Sequence, residues 1–222
     1  MVWDKGWDSV FQKNEWGEYP NEELIRFLKS DLKKKSGIGK NLLEIGCGTG
    51  ANFQLYHKEK FNSFGIDGSK VAINQAKKNI KKQKYKINLN LSDVETLPYD
   101  NNFFDYVIDI ECLYSNDEKS TQKILSEVYR VLKNNGKFFS LSFGTKTSGY
   151  KLGKKLIGDK NTFIDTKTGA LRKDYKLIRY MDKKDINRIY QNFKIVSIDE
   201  INKTKKNGSI KIQEWIIVCQ KN

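Results

Sequence analysis

Apolar residues recur along this chain at two periods, and the two take turns. Short apolar runs of strand length lie at 42–45, 61–67, 87–91, 104–110 and 137–143. Between them the period lengthens to that of a helix. Leu24, Ile25, Leu28 and Leu32 make one stripe, Ala72, Ile73, Ala76 and Ile80 a second, and Ile124, Val128, Val131 and Leu132 a third, predicted over 119–132. Asn21 caps the first of these helices, with Glu22 and Glu23 in its first turn, and Gly37 is expected to end it. Gly68-Ser69 opens the next, and Asn134-Asn135-Gly136 closes the one before the fifth strand. Strands alternating with helices at this spacing predict a parallel sheet wound on both faces. After a helix opened by Asp182, two strands at 193–201 and 209–219 are joined by residues 202–208. That loop is too short for a parallel crossover, so the last strand must run antiparallel. The expected fold is α/β: a doubly wound, mostly parallel seven-stranded sheet with an antiparallel last strand, forming one domain over 1–222.

Two stretches depart from this rhythm. Residues 1–36 begin with an aromatic cluster in which Trp3, Trp7 and Phe11 fall on one helical face, followed by Trp16 and Tyr19. They read as a flap or lid over the core. Residues 144–181 are rich in Gly, Thr and Lys, with weak periodicity. Ten basic residues against three acids give this stretch +7, half the net charge in about a sixth of the chain. An insertion at the carboxyl ends of the strands is where substrate loops belong, so this one reads as a basic cover that draws in an anionic acceptor.

Composition narrows the class. The 222 residues carry 12 Phe and 11 Tyr, enough to build a core without disulfides or metals. Cys47, Cys112 and Cys219 are too scattered for a disulfide framework, and with a single histidine no metal site is expected. The net charge of +14 invites a nucleic-acid partner, but only five of the 41 basic residues are arginine. Lysine is the residue of solvated faces, and a general Lys/Asn bias explains the charge better. No apolar run reaches the ~18 residues of a membrane span. A soluble, cytoplasmic protein without a membrane partner is therefore expected.

The chemistry gathers where strands end. Glu44 stands two residues before Gly46-Cys47-Gly48-Thr49-Gly50, a strand-to-helix turn whose glycines let the backbone approach a ligand closely. With Ala51 as the third small residue the same turn also fits the dinucleotide fingerprint G-x-G-x-x-G/A. Asp67 ends the second strand at the spacing where an acid meets ribose hydroxyls. Asp93 follows the third and suits an exocyclic amine such as that of adenine, or a cap. The fourth strand runs into Glu111-Cys112-Leu113-Tyr114. His57, two turns past the glycine loop, reads as a surface helix residue.

An acid before G-x-G-x-G, an acid ending strand two, Ser-Asp-Val-Glu-x-Leu-Pro-Tyr, Phe-Asp-x-Val-Ile, Glu-Val-x-Arg-Val-Leu-Lys-x-x-Gly and a reversed terminal hairpin occur here in that order. Together they resemble the class I S-adenosylmethionine-dependent methyltransferases of the methyltransferase type 11 kind, with a Rossmann-like fold. The resemblance covers residues 40–143 by motif and 182–222 by topology, and it favours that cofactor over a nicotinamide. It implies that Glu44, Gly46, Gly48 and Gly50 shape the pocket for the methionine part, that Asp67 holds the ribose, and that Asp93 with the backbone of Val94 reads the adenine. Cys47, Asn52, Gly68, Ser69, Asp109, Ile110, Trp16 and Tyr19 complete the expected cofactor-binding set. Asp109-Ile110-Glu111 would line the methyl-transfer mouth. Asn134-Asn135-Gly136 departs from the Pro-Gly-Gly usual in relatives. Residues 16–24 also look like a subgroup associated with bacterial surface-saccharide biosynthesis.

For the proton of a hydroxyl acceptor, Glu111 is the expected base, with Asp109 and Tyr114 beside it. The expected activity is methyl transfer to O or N of a small molecule, for instance an anionic or nucleotide-linked sugar. The alternative is an RNA or protein methyltransferase that docks through the basic surface. Against it, the Asn/Asp-Pro-Pro-aromatic motif of amino-methylating nucleic-acid enzymes is missing from strand four. A cofactor-binding subunit without catalysis is a third reading, against which the intact glycine loop and both acids speak.

Overall fold

A computed structural model describes residues 6–14, 17–33, 35–166, 169–171 and 177–222. Helices α1 (Gly6–Lys13) and α2 (Glu22–Leu32) precede β1 (Asn41–Ile45), α3 (Phe53–Lys58), β2 (Asn62–Asp67), α4 (Lys70–Gln83), β3 (Ile87–Leu91) and β4 (Phe104–Ile110). Then come a 3₁₀ turn (Leu113–Ser115), α5 (Glu118–Val131), β5 (Leu132–Phe143) and three short strands, β6 (Lys154–Lys155), β7 (Thr162–Ile164) and β8 (Leu177–Arg179). Helix α6 (Lys183–Ile189) leads to the hairpin of β9 (Lys194–Lys205) and β10 (Ile210–Gln220).

The main sheet has seven strands in the order β3-β2-β1-β4-β5-β10-β9. Strands β1 to β5 pair in parallel, and β10 is antiparallel to both neighbours, as the short hairpin loop requires. Side chains alternate between the two faces because the strand repeat is two. Leu43, Val107 and Phe138 join α5 and α6 on one side, while Leu42, Ile108 and Phe139 join α2, α3 and α4 on the other. The strand order reverses between β1 and β4, so the crevice beyond their carboxyl ends is the place where such sheets take ligands.

Capping chemistry sets the helix starts as the residues foretold. The side chains of Asn21, Ser69 and Asp182 accept backbone N–H bonds at the N-termini of α2, α4 and α6. Several boundaries differ. α2 stops at Leu32 with Lys33 in the left-handed conformation, ahead of Gly37. β5 begins at Leu132 directly after α5, and Asn134-Asn135-Gly136 forms a bulge inside the strand: Phe104 faces Leu132 while Tyr106 already faces Lys137. The terminal hairpin is longer than expected, with Lys205 paired to Ile210 across a tight turn. The 144–181 stretch contains a small antiparallel sheet, β6-β7-β8, whose strands of two and three residues are too short for a period to register. The Trp3 and Trp16 positions lie outside the described residues. Among the described residues, no helix is long and apolar enough to cross a membrane.

A buried ion network seats the small sheet. Arg179, only 1% exposed, donates to Asp159 Oδ1 at 2.7 Å, Thr162 Oγ1 at 3.2 Å and Glu118 Oε2 at 3.2 Å. Arg188 in α6 joins Glu118 and Asp185 to the same network. One guanidinium thereby connects β8 to the first turn of α5 and to α6. Arg179→Met should cost about 3–5 kcal/mol in urea unfolding, because it leaves Asp159 buried without its partner. A loss below about 1 kcal/mol would reduce the network to the worth of a surface pair.

Candidate functional site

The turn after β1 is shaped by what fits beside it. Gly46 has φ +62°, and a Cβ there would stand 2.4 Å from Cys112 Sγ, so the chain leaving β4 occupies the space a side chain would need. Gly48, at φ +54°, lies against the Phe11 ring, 3.4 Å from where its Cβ would be. The Gly48 N–H donates to Asp67 Oδ2 at 2.8 Å, which ties the glycine loop to the end of β2. The other oxygen of Asp67 accepts from Ser69 N at 2.8 Å, so both oxygens of this acid organise backbone.

Glu44, at the end of β1, is 3% exposed. Its Oε1 accepts from Asn52 Nδ2 at 2.6 Å, while Oε2 makes no close hydrogen bond and shares its buried surroundings with the Tyr56 hydroxyl, which makes none either. Asn52 Oδ1 in turn accepts from Asn21 N at 2.9 Å, linking the start of α2 to the same acid. Burial pushes the Glu44 carboxyl up to about 8 and Asp67 up to about 6. In Asp67, the Ser69 and Gly48 amides pull the other way and the nearby Asp8 carboxylate adds to the rise.

Near the end of β4, Asp109 is fully buried. Its Oδ1 accepts from the amides of Cys112 at 2.8 Å and Leu113 at 3.2 Å, and its Oδ2 from Ser140 Oγ at 2.6 Å. Ser140 Oγ also lies 3.0 Å from Tyr190 Oη. Asp109 therefore pins the turn that follows, and burial raises it to about 6. Glu111 sits on that turn with φ +57°, a conformation uncommon for a residue with a side chain. Its N–H donates to Leu141 O at 3.0 Å. Withdrawal from water, with the Glu214 carboxylate adding and Lys203 opposing, lifts Glu111 to about 7. Tyr114 is buried with its ring edge-on to Phe143, centroids 5.0 Å apart.

Asp93 is half-buried, accepts from Glu95 N at 2.9 Å and caps the turn after β3, with Val94 packed on the core beside it. Ile110 packs on the face that holds α2 and α4, Cys47 is buried beneath the loop, and Gly68 precedes the Ser69 cap. Tyr19 stands in solvent, 82% exposed. Helix α1 contacts the glycine loop and the start of α4. Asp8 Oδ1 accepts from Ser69 Oγ at 2.5 Å, Gln75 Nε2 donates to the Phe11 carbonyl at 3.2 Å, and the Trp7 and Phe11 rings lie 5.8 Å apart. Sequence reasoning found this aromatic face but not Asp8, which lies beside it and carries no motif. Nor did it find Cys112 against Gly46 or the Ser140–Tyr190 support of Asp109. His57 is exposed beside Tyr85.

The model of a family described as a methyltransferase domain matches residues 37–194. A ubiquinone biosynthesis O-methyltransferase of Coxiella burnetii is 27% identical over 131 residues, 59% of this chain and 53% of the relative. A tRNA N(3)-methylcytidine methyltransferase of Schizosaccharomyces pombe is 26% identical over 210 residues, 87% of this chain and 65% of the relative. The chain thus spans between about half and two thirds of the length of these curated relatives. The fold is shared with a SAM-dependent methyltransferase structure from Methanosarcina mazei, TM-score 0.70 at 22% identity, covering 87% of this chain and 96% of that one.

A raised carboxyl binds its proton more tightly in the folded chain than in the unfolded one, so its contribution to stability falls as pH rises. For Glu44 the window runs from its ordinary value of 4.5 to about 8. Across it, Glu44→Gln should gain on the parent by up to about 1.4 kcal/mol per pH unit. Urea unfolding of both proteins at several pH values checks this, and parallel curves would contradict the burial of Glu44 as a charge.

Proposed function

The chain belongs to the methyltransferase-domain family, and on that premise we propose that it transfers a methyl group from S-adenosylmethionine to an oxygen or nitrogen of a small-molecule acceptor. The observation that carries this reading is the buried Glu44 carboxyl at the glycine turn, whose Oε2 makes no close hydrogen bond and has only the Tyr56 hydroxyl near it. Burial makes the ionised form of such a carboxyl costly, and a cationic ligand offsets the cost. When bound, the cofactor supplies an electrophilic methyl carbon on a positively charged sulfonium.

The residues of this chain then divide the work. Glu44 and the Gly46, Gly48 and Gly50 turn hold the amino-acid end, with Asn52 and Cys47 behind it. Asp67, with Gly68 and Ser69, takes the ribose, and each of its oxygens keeps a lone pair beyond its backbone bond. Asp93 and the Val94 backbone take the base. Asp109 keeps the turn in place and Ile110 gives it an apolar backing. Glu111 accepts the proton of the acceptor as the new bond to carbon forms; a carboxyl lifted to about 7 is tuned for that at neutral pH. Tyr114 bounds the acceptor side. The domain runs over 1–222, with the lid at 1–36 and the basic insertion at 144–181 as the cover that attracts an anionic acceptor; a nucleotide-linked sugar of surface-polysaccharide assembly has that charge. A cytoplasmic location accompanies the cofactor. A second reading, methylation of RNA, is favoured by the likeness to a tRNA methyltransferase over 87% of this chain.

Calorimetry with S-adenosylhomocysteine and with NAD tests the cofactor, and binding of NAD in preference would overturn the reading. Asp67→Ala should weaken the former by about 1–3 kcal/mol, the range for hydrogen bonds to a charged group; unchanged affinity would remove Asp67 from the site. Radiolabelled S-adenosylmethionine offered with a small-molecule extract or with total RNA separates the two acceptor classes. On the acceptor so found, Glu111→Gln should lower turnover roughly 10²-fold or more while cofactor affinity holds. Parent-level turnover would end its candidacy as base.

A further inference from the structure

The small sheet presents one surface whose exposed aliphatic side chains are left unexplained by the attraction of an anionic acceptor. Ile157 is 99% exposed at the head of the turn that joins β6 to β7, and Leu152, just before β6, is 61% exposed. Around them Lys151, Lys154, Lys155 and Lys160 all face solvent. Lys151 lies over the Tyr150 ring at 5.2 Å and Lys160 reaches Asp182 at 3.3 Å, while Lys154 and Lys155 have no ion-pair partner among the described residues. The one acid between 151 and 160 is Asp159, and it is turned inward onto Arg179 and Thr162. The outer surface of this segment is therefore lysine and aliphatic carbon alone.

We propose that this turn docks on an anionic lipid bilayer, with Ile157 entering the interfacial region and the lysines meeting headgroup phosphates. Lysines on β6 also protect an edge strand from pairing, and that would account for Lys154 and Lys155 by themselves. It does not account for a fully exposed isoleucine at the foremost position of the turn. The side chains favour lipid over RNA, because single-stranded RNA is held by stacking on aromatic rings or guanidinium planes. Residues 151–160 hold neither an aromatic residue nor an arginine. An aliphatic tip ringed by lysines matches a bilayer interface, where apolar burial and attraction to anionic headgroups add. The Arg179 network holds the turn to α5 and α6, so the surface is presented without an ordering cost. Because the insertion follows the carboxyl end of β5, it stands at the sheet edge that carries the candidate site. Acceptors carried in or on such a bilayer are the class this would bring to it. The docking itself does not rest on the methyl-transfer reading.

Co-sedimentation with phosphatidylcholine vesicles, with and without phosphatidylglycerol, tests the proposal. The protein should bind only the anionic vesicles and release as salt rises. Ile157→Glu, and separately Lys154→Glu with Lys155→Glu, should each weaken vesicle binding at least tenfold. Circular dichroism and the urea midpoint should stay unchanged, since none of these side chains is packed. Absence of binding to anionic vesicles overturns the proposal, as do variants that bind like the parent. Salt-sensitive retention on polyuridylate that the lysine pair abolishes and Ile157→Glu leaves intact would assign the surface to RNA instead.

Discussion

The hydrogen bond from the Gly48 amide to Asp67 is the constraint on which the candidate site depends. It fixes the turn after β1 to the end of β2, and so decides where the free edge of that turn points. The other oxygen of Asp67 does the same for the start of α4, through Ser69 N. Ser69 in turn gives its hydroxyl to Asp8, so α1 is seated by a residue that the same carboxylate positions. Three glycines with positive φ make the turn tight enough for this, and Cys112 closes the space beside Gly46 from the β4 side. One buried acid thus organises three segments that are distant in sequence, and a ligand reaching it would feel all three.

The electrostatics of that edge run against those of the whole chain. The formal charge is +14, yet Glu44, Asp67, Asp109 and Glu111 converge at the ends of β1, β2 and β4, and burial raises the pKa of every one. The Cys112 thiol is pushed well above its ordinary value, first by burial and then by the carboxylates of Asp109, Asp67, Asp93 and Glu44. Acids crowded into a dry crevice favour a cationic occupant, and on the reading proposed above that occupant carries a sulfonium. Linkage is reciprocal: a cation that binds the ionised acids also lowers their pKa values, so occupancy and proton release are coupled. Half of the net positive charge lies in the sequence of the 144–181 insertion, and a further run of lysines lies on α4.

What could be read from the chain beforehand was what local chemistry dictates. The third and fourth strands lie where their apolar runs placed them, at Ile87–Leu91 and Phe104–Ile110, and the caps at Asn21, Ser69 and Asp182 act as their side chains predict. The antiparallel last strand followed from loop length alone. Contacts made across the sequence were not legible. Asp109 takes its side-chain partner 31 residues away, and the tyrosine behind that partner is 50 residues further on. Nothing in Ser140 or Tyr190 announces such a role. Asp8 carries no motif because it acts on a hydroxyl 61 residues away. The sheet in the insertion escaped for a different reason: strands of two and three residues hold too few positions for alternation to appear.

The insertion shows how a buried interaction can set the character of a surface. Asp159 could have balanced the neighbouring lysines had it faced outward. Turned inward, it holds Arg179, and Arg179 holds α5 through Glu118. The same choice that anchors the small sheet therefore strips its exposed turn of negative charge. Ion pairs taken out of water are weak sources of stability compared with apolar packing of the same volume, and their better-attested use is to specify one arrangement over others. Here the arrangement specified leaves Ile157 and four lysines outward. The outer surface of the turn is thereby lysine and aliphatic carbon, with no carboxylate to offset the charge.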